Sequence, residues 1–471
     1  MKKQTSVNNS DMMRSYQQVI AKDRIQPPSD MLRISMPEPE DYEVDYACYT
    51  SPDYHQLEME RLWGKVWQVA CREEELPEAG DVVLYEIGDK SLMIVRTAEQ
   101  QIKAFYNSCP HRGRRMCQGN TSVNEIRCAF HGFSWDLDGS LKEVPCSWDF
   151  PQVSNDSHRL PEAQVALWGG FVFINMDPQC ESLESYLEIL PQQISGEQFA
   201  NKYITRRSRH ILPANWKVVM ESFMEGLHAG ETHGHTWPYL SDILQYDIEP
   251  GVRHINRSFH AAGVQVCQNK RQLSEQEIIE RFHRDVKGRH TTEPAPQLRE
   301  GMTARSYMAD ILRFQQTLST GRDYSALSEA EALDVLQYSV FPNIILFRGI
   351  SLPPVLRFRP YENDVNRCIF EIYYLEELPV GKSRPEPADV IEMDENDKYS
   401  ESGVLSEWLG YIYDQDMDNI KNMQTGMKTN PRQKLTLSFY HESRIRHFHQ
   451  TLDAYLQRAE RGGNQPLERI L

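Results

Sequence analysis

Residues 109–139 read CPHRGRRMCQGNTSVNEIRCAFHGFSWDLDG and contain two short Cys/His pairs. Cys109 and His111 form one short pair, and Cys128 and His131 form a second pair after sixteen intervening residues. Two thiolates and two imidazoles offered by two short loops are the ligand types that soft metal ions and iron–sulfur clusters use. The stretch therefore predicts that the surrounding domain is built around a metal centre.

Three interpretations of these Cys/His pairs compete. The first is accidental spacing of ordinary core side chains, and the second is a tetrahedral structural zinc site. The third is a two-iron, two-sulfide cluster in which two cysteines hold one iron and two histidines hold the other. Zinc sites normally put two cysteines in one short pair, whereas each pair here mixes Cys with His, which favours the cluster.

The spacing C-x-H-x16-C-x2-H resembles the Rieske motif, and the text up to HGFSWDLDG at 131–139 resembles the alpha subunit of Rieske non-haem iron ring-hydroxylating oxygenases. The resemblance covers roughly residues 50–450. It implies a Rieske [2Fe-2S] cluster held by Cys109, His111, Cys128 and His131. It also implies an α+β fold, with an N-terminal Rieske antiparallel β domain and a C-terminal helix-grip catalytic domain containing an antiparallel sheet.

Length and composition exclude several other classes of protein. The chain has 471 residues and a formal net charge of −17, which repels phosphate backbones and argues against a nucleic-acid partner. No apolar run has the length of a membrane span, and the N-terminal residues lack the apolar stretch of a secretory signal. Nine cysteines are too few for a disulfide scaffold, and an odd number argues against complete pairing. We therefore expect a reduced, cytoplasmic protein.

The pattern of strand-like and helical runs along the chain predicts two folded domains after a polar segment. Short β-rich runs at 82–107 and 165–176, split by turn residues, are typical of antiparallel hairpins. Later strand-like runs mix with long helical patterns, which indicates an α+β domain. The predicted units are a polar N-terminal segment at 1–44, a Rieske domain at 45–180 and a catalytic mononuclear iron domain at 181–471. Helices are predicted at 11–22, 57–69, 215–228, 402–427 and 437–461, in part of 273–315, and strands within 335–375.

A second constellation follows in the sequence at residues 215–233. On a helix over 215–228, Glu221, Glu225 and His228 would lie at i, i+4 and i+7 on one face, and a bend afterwards would return His233 to His228. Two neutral imidazoles and one carboxylate suit non-haem Fe(II) and leave coordination positions open.

The family resemblance sharpens these roles. Its pattern of an acid, two residues, His, four residues, His is matched by Glu225, His228 and His233. In the family the acid bridges an iron-ligating His to a Rieske His of the next subunit, which implies contacts of Glu225 with His228 and with His131 of a neighbouring copy. The chain departs from many members by having Glu rather than Asp at 225 and Ser222 in place of Asn, so the resemblance leaves the exact reaction open.

The third iron ligand is predicted to be a distant carboxylate. Residues 413–426 resemble the family's late motif, in which an Asp precedes a Gln-x-Gly element by eight residues, and counting back from Gln424 gives Asp416. Asp414 and Asp418 would project to other faces of a helix, where solvated charge is the ordinary interpretation. His235 is a rival to His233 as a ligand and is ranked lower on its spacing.

Together these features imply the oxygenase component of a multicomponent system that uses O2 and NAD(P)H-derived electrons. The resemblance implies a head-to-tail homotrimer, with or without beta subunits. No NAD-binding glycine fingerprint is present, so a reductase, with or without a ferredoxin, is expected on another polypeptide. The outcomes left open are cis-dihydroxylation, monooxygenation and oxidative demethylation of a small amine or methoxy compound. One rival interpretation is a Rieske electron-transfer protein without oxygenase activity, which would have no use for His228, His233 and Asp416. Another is a zinc-stabilised binding protein, which would be colourless, whereas a Rieske protein is red-brown.

Apolar residues near these motifs favour a hydrophobic, aromatic or polycyclic substrate, although about two-thirds of them are expected to be ordinary core. They are Met220, Phe223, Met224, Leu227, Trp237, Tyr239, Phe341 and Phe347. Arg348, Arg357 and Arg359 could hold a carboxylate, but alternating arginines on a strand more often form its solvent face, and that interpretation is preferred.

Overall fold

The computed structural model describes residues 15–33, 42–194, 199–233, 240–249, 253–264, 273–287 and 293–458. His235, Trp237 and Tyr239 lie outside the described residues, so the predictions that concern them stay predictions. The strands form one seven-stranded, one eight-stranded and one three-stranded sheet. This arrangement of antiparallel sheets with helices confirms the predicted α+β class.

The N-terminal sheets draw their strands from residues 68–175. Numbered along the chain, the strands are β1 (Gln68–Arg72), β2 (Asp81–Ile87), β3 (Lys90–Arg96), β4 (Ile102–Tyr106), β5 (Thr121–Ser122), β6 (Ile126–Arg127), β7 (Ser134–Trp135), β8 (Leu141–Glu143), β9 (Glu162–Trp168) and β10 (Phe171–Asn175). The larger sheet has the order β1-β10-β9-β4-β3-β2-β5, and β6-β7-β8 form the small one. Gly88, with φ +53°, lies in the two-residue loop between β2 and β3, where a left-handed backbone favours glycine.

The second large sheet begins at residue 202. Its strands are β11 (Lys202–Leu212), β12 (Leu240–Ile248), β13 (Ile255–Ala262), β14 (Val335–Val340), β15 (Ile344–Arg348), β16 (Pro354–Tyr361), β17 (Asp364–Glu377) and β18 (Val390–Met393). Their order is β12-β13-β14-β15-β16-β17-β11-β18, antiparallel except for the parallel pair of β11 and β18.

Helices precede the first sheet and pack on the second. They are α1 (Tyr16–Ile20), α2 (Ala47–Thr50), α3 (Pro52–Arg61), α4 (Asn155–His158), α5 (Leu183–Tyr186), α6 (Leu190–Gln193), α7 (Trp216–Ser222), α8 (Ala229–Thr232), α9 (Glu275–Lys287), α10 (Ala304–Thr320), α11 (Glu329–Leu333), α12 (Tyr399–Ser402), α13 (Glu407–Met427) and α14 (Ser443–Arg458). The long helix α13 packs against α7, and α7 lies on β16 and β17, so that one apolar core joins these elements. Among the described residues, no helix has the length and apolar character needed to cross a membrane.

Several predicted helices are wrong in their bounds. Those predicted at 402–427 and 437–461 are α13 and α14, which start later, at Glu407 and Ser443. The helix predicted at 57–69 is α3, Pro52–Arg61, because Ser51 caps it from the front with Pro52 in its first turn, and β1 already starts at Gln68. The helix predicted at 215–228 ends at Ser222. The N-terminal helix is found only over Tyr16–Ile20 within the described residues.

The prediction that Arg348, Arg357 and Arg359 lie on the solvent face of a strand is also wrong. Arg348, Arg357 and Arg359 are all buried. Arg357 and Arg359 both donate to Glu371, at 2.7 and 3.0 Å, while Arg348 pairs with Asp30 at 2.8 Å. Burial of a guanidinium is tolerated there because each one has a carboxylate partner.

Candidate metal centres and the adjoining pocket

The first candidate centre lies between two glycine turns of the N-terminal domain. The amide of Gly113 donates to the carbonyl of Cys109 at 2.8 Å, and the amide of Gly132 donates to that of Cys128 at 3.0 Å. Both glycines have positive φ, +72° and +79°, which the tight return of each loop requires. The two Cys/His pairs are therefore presented by two turns of the same kind.

The four predicted ligands of this centre lie as one pair of thiols and one pair of imidazoles. The thiols of Cys109 and Cys128 are buried next to each other, and burial raises the pKa of the Cys109 thiol. The rings of His111 and His131 lie with centroids 4.6 Å apart, and His131 is exposed. A buried pair of thiols with an outer pair of imidazoles fits the two unlike irons of a Rieske cluster.

The second candidate centre begins where α7 ends. The Glu225 carboxylate accepts hydrogen bonds from the amides of Leu227 and His228, the latter at 3.2 Å, and so starts a new turn. Glu225 and His228 therefore do not continue the helical face that carries Glu221. The short helix α8 then leads directly to His233.

Two histidines and one aspartate meet at this point. Asp416 Oδ1 lies 3.0 Å from His233 Nε2 and 3.5 Å from His228 Nε2. The three ligand atoms lie within 4.8 Å of one another, close enough to hold one metal ion. The donor set of two imidazoles and one carboxylate fits ferrous iron.

Each imidazole is oriented from behind through its Nδ1 atom. His228 Nδ1 donates to Glu225 Oε1 at 2.5 Å, because a carboxylate can only accept, and His233 Nδ1 bonds to Gln415 Oε1 at 3.0 Å. Both Nε2 atoms are thus turned towards Asp416. Such outer partners fix the tautomer and ring orientation of a metal-ligating histidine.

The electrostatics of the site favour a cation. Burial lowers the pKa of His228, but the hydrogen bond and charge of Glu225 outweigh it, and with Asp416 they raise the pKa to about 9. The same contact lowers the pKa of Glu225 against the opposing effect of burial. For the same reason, Asp416 beside the two Nε2 atoms and Glu225 behind His228 would stabilise a divalent metal ion there.

The neighbouring acidic residues have other roles. Asp414 accepts hydrogen bonds from the amide and hydroxyl of Ser400 and from the amide of Tyr399, so it caps α12, and Asp418 is exposed. Glu221 accepts from Tyr49 at 2.8 Å and lies 2.8 Å from His449, away from the metal-facing set.

Gln424 explains how α13 is held so that Asp416 faces the histidines. Its side-chain oxygen accepts from the amide of Asn215, the residue before α7, at 3.0 Å, and its amide nitrogen donates to the carbonyl of Tyr49 at 3.2 Å. The glutamine of the Gln-x-Gly element is thus a buried link between α13 and the start of α7.

A pocket opens beside this centre. It is lined by Ser222, Phe223, Glu225, Gly226, His228, Ala229, His233, His260, Val335, Gln337, Phe347, Leu352, Leu409, Ile412, Tyr413 and Asp416. Of the apolar residues singled out in the sequence, Phe223 and Phe347 line it, whereas Met220, Met224 and Phe341 belong to the core and Leu227 is 44% exposed.

Sequence reasoning missed Gln415, Gln337 and His260. Gln415 stands next to the aspartate it assists, but its bond to His233 joins residues 182 positions apart in the chain. Gln337 lies within a strand-like run and His260 in a segment given no role, and no local motif marks either one.

Comparison with known proteins agrees with this architecture. Residues 66–154 match the model of the Rieske [2Fe-2S] domain, and residues 197–458 match that of the ring hydroxylating alpha subunit catalytic domain. The carnitine monooxygenase oxygenase subunit of Escherichia coli K12 is 31% identical over 217 residues, 44% of this chain and 55% of that protein. The biphenyl 2,3-dioxygenase subunit alpha of Rhodococcus jostii RHA1 is 28% identical over 207 residues, 43% of this chain and 44% of that protein. The chain spans about half the length of these curated relatives.

Solved structures show the same fold. An inhibitor complex of a quaternary ammonium Rieske monooxygenase superposes with a TM-score of 0.61 at 17% identity, covering 90% of this chain and 100% of that chain. Naphthalene 1,2-dioxygenase from Rhodococcus bound to indole gives a TM-score of 0.60 at 18% identity, covering 89% of this chain and 95% of that chain.

The fold and the two centres define a Rieske-domain protein with a second, catalytic-type domain. The chain belongs to the family of ring-hydroxylating oxygenase alpha subunits, whose catalytic-domain model matches more than half of its length. These two domain types carry a Rieske [2Fe-2S] cluster and a mononuclear non-haem iron, which confirms the predicted cofactors. The individual ligands stay predictions that the geometry supports.

Proposed function

We propose that this chain is the oxygenase component of a multicomponent Rieske oxygenase that hydroxylates a mostly hydrophobic substrate with O2. The observation that carries the proposal is the convergence of His228, His233 and Asp416 on one point at the wall of a largely apolar pocket. A pure electron carrier has no use for a second metal site that opens onto a pocket.

The protein side chains prepare the site for its metal. Glu225 and Gln415 hold the Nδ1 protons, so each Nε2 lone pair is available as a ligand, with Asp416 as the third. We assign Cys109, His111, Cys128 and His131 to the cluster. When bound, the cluster supplies single electrons and the iron supplies the activation of O2.

The pocket wall determines what reaches the centre. Phe223, Phe347 and Ile412 present apolar surface beside the histidines, so an apolar substrate displaces water from the site and is held near the metal. Aromatic and polycyclic molecules fit this lining.

We further propose a head-to-tail trimer in which the cluster of one copy serves the iron of the next. His131 and its neighbour Phe130 are exposed on the Rieske loop, with Phe130 54% exposed. On the catalytic domain, Leu227 is exposed beside Glu225. Placed against each other in two copies, these surfaces would let Glu225 contact His131 of the neighbouring copy while it holds His228.

The electrons are proposed to come from a reductase on a separate polypeptide, with or without a ferredoxin. None of the eight cysteines in the described part of the chain forms a disulfide, which supports a reducing, cytoplasmic setting. Oxidative demethylation or monooxygenation of a small amine is a second candidate activity, because the E. coli relative is a carnitine monooxygenase subunit.

The test is anaerobic reconstitution with iron and sulfide, followed by turnover with a surrogate reductase and a panel of aromatic, carboxylated and amine substrates under ¹⁸O2. We expect a product that carries one or two labelled oxygen atoms. His228→Ala is the matched control: it should lose mononuclear iron and product while it keeps the cluster absorption. A colourless, zinc-containing protein, or a normal cluster with no product from the whole panel, would contradict the proposal.

A further inference from the structure

A buried arginine lies directly behind the candidate substrate pocket. Arg444 of α14 is 1% exposed, and no carboxylate pairs with it in the described part of the chain. Its donors reach only neutral acceptors, namely Asn256 Oδ1 at 2.7 Å, Ser258 Oγ at 2.8 Å, Gln337 Oε1 at 2.5 Å, Ser339 Oγ at 2.5 Å and the Met224 carbonyl at 3.2 Å.

This environment differs from those of the buried Arg357 and Arg305. Arg357 pairs with Glu371 at 2.7 Å, and Arg305 pairs with Asp334 at 2.5 Å. A buried charge without a counterion is costly, even when it is hydrogen-bonded. Burial accordingly lowers the pKa of Arg444 to about 9. Within the described residues, Arg444 is therefore a positive charge without a carboxylate partner next to the pocket.

Gln337 connects this charge to the pocket. A guanidinium can only donate, so the Gln337 side chain must turn its oxygen to Arg444. Its amide NH2 then points away from Arg444, and no hydrogen bond from that nitrogen is found among the described residues. Gln337 lines the pocket, so an NH2 group turned away from Arg444 would be a donor for a substrate there.

The chemistry of the donor selects the ligand. The adjacent guanidinium polarises the amide, so a negatively charged acceptor gains more from it than a neutral one. The other charges on the pocket wall, Glu225 and Asp416, are directed at His228 and His233. An anionic group at Gln337 would also supply the counter-charge that Arg444 lacks.

We propose that the substrate is an apolar molecule bearing a carboxylate, which the Gln337 amide binds, with Arg444 as the positioning residue that polarises this amide and balances the charge. The inference rests on the proposed function, since it assigns the specificity of the same pocket.

The test compares two probes of the same shape that differ in charge, benzoate and nitrobenzene. Binding to the metal-loaded protein is measured by calorimetry without O2 or reductant, so that nothing turns over. We expect benzoate to bind at least about tenfold more tightly than nitrobenzene. Equal binding, or tighter binding of phenyltrimethylammonium than of benzoate, would overturn the proposal.

Gln337→Glu is the decisive variant. It keeps an oxygen for Arg444, neutralises the buried charge and replaces the donor with an acceptor. We expect about a ten- to hundredfold loss of benzoate affinity and a much smaller change for nitrobenzene. Unchanged benzoate binding would show that the carboxylate binds elsewhere, on the iron for example, and would refute the assignment. Gln245→Glu, the same substitution outside the pocket lining, should leave the ratio of the two affinities as in the wild type.

The role of Arg444 is tested by charge. Arg444→Lys should keep the preference for benzoate over nitrobenzene, whereas Arg444→Gln should lose it; a structural role alone would not separate the two probes. Failure of this inference is distinguishable from failure of the proposed function. Oxygenated product with no preference for benzoate contradicts only the inference, and Gln337-dependent benzoate binding without any product contradicts only the proposed function.

Discussion

At the scale of single residues, the second centre depends on which of three aspartates on α13 turns inward. Asp416 is buried against His228 and His233, whereas Asp414 caps α12 and Asp418 faces solvent. Asp416→Ala should weaken iron binding at least about a hundredfold, because loss of an outer partner alone costs ten- to a hundredfold. Asp414→Ala should keep its iron and lose about 1 kcal/mol of stability with the lost cap. Iron content and urea unfolding of both variants check this, and the reverse outcome would exclude Asp416 as the ligand.

Glu225 separates metal binding from electron delivery. Glu225→Gln keeps an oxygen for His228 Nδ1 but removes the charge, so both metals should remain bound. Turnover should fall about ten- to a hundredfold or more, since the residue orients a ligand and is proposed to reach the neighbouring cluster. Iron, labile sulfide, cluster EPR and product yield are the measurements. Glu221→Gln, an equal change one turn earlier, should lower stability but spare turnover; near-normal product from Glu225→Gln would refute the bridging role.

At the scale of elements, the sequence predicts the residues of the site more accurately than it predicts the bounds of the helices that carry them. The intervals between Glu225, His228 and His233 are local, so a motif contains them. Helical periodicity does not predict that α7 ends at Ser222. The helix ends there because the Glu225 carboxylate accepts hydrogen bonds from the amides that follow it and so starts a new turn. The contact of Gln415 with His233 joins separate elements, and no spacing within one segment contains that information.

Strand β11 contains a buried histidine that makes stability depend on pH. His210 is fully buried, and burial lowers its pKa from 6.5 to about 4. Between pH 4 and pH 6.5 the unfolded chain therefore binds more protons at position 210 than the folded chain does. The contribution of buried, neutral His210 to stability, about 3 kcal/mol, is present above pH 6.5 and is lost as the pH falls towards 4. His210→Phe should flatten this part of the pH profile. Urea unfolding of both proteins from pH 4 to 7 measures the difference, and parallel profiles would contradict it.

At the scale of the whole molecule, the two candidate centres lie in the regions that match two different domain families, and their exposures differ. The Rieske loop presents His131 to the outside, and the iron site is reached past Glu225, whose side chain is 12% exposed. In an isolated chain, neither the exposed His131 nor the partly exposed Glu225 has the other metal centre beside it. Both are accounted for if one copy covers the other, because a carboxylate between two imidazoles offers a short, oriented connection.

Mixed assemblies test whether electrons pass between copies. Cys109→Ser chains should lack the cluster and His228→Ala chains should lack the iron, so each is inactive alone. When the two variants are co-expressed in equal amounts and form head-to-tail trimers, about one junction in four joins an intact cluster to an intact iron. The expected activity is therefore about a quarter of the wild-type activity. Transfer within one chain predicts none. The matched control is the double variant co-expressed with wild type, which gives about a quarter for transfer between copies and about a half for transfer within a chain. Product formation by trimers isolated by sedimentation decides between the two, and activities of zero and one half would overturn the proposed assembly.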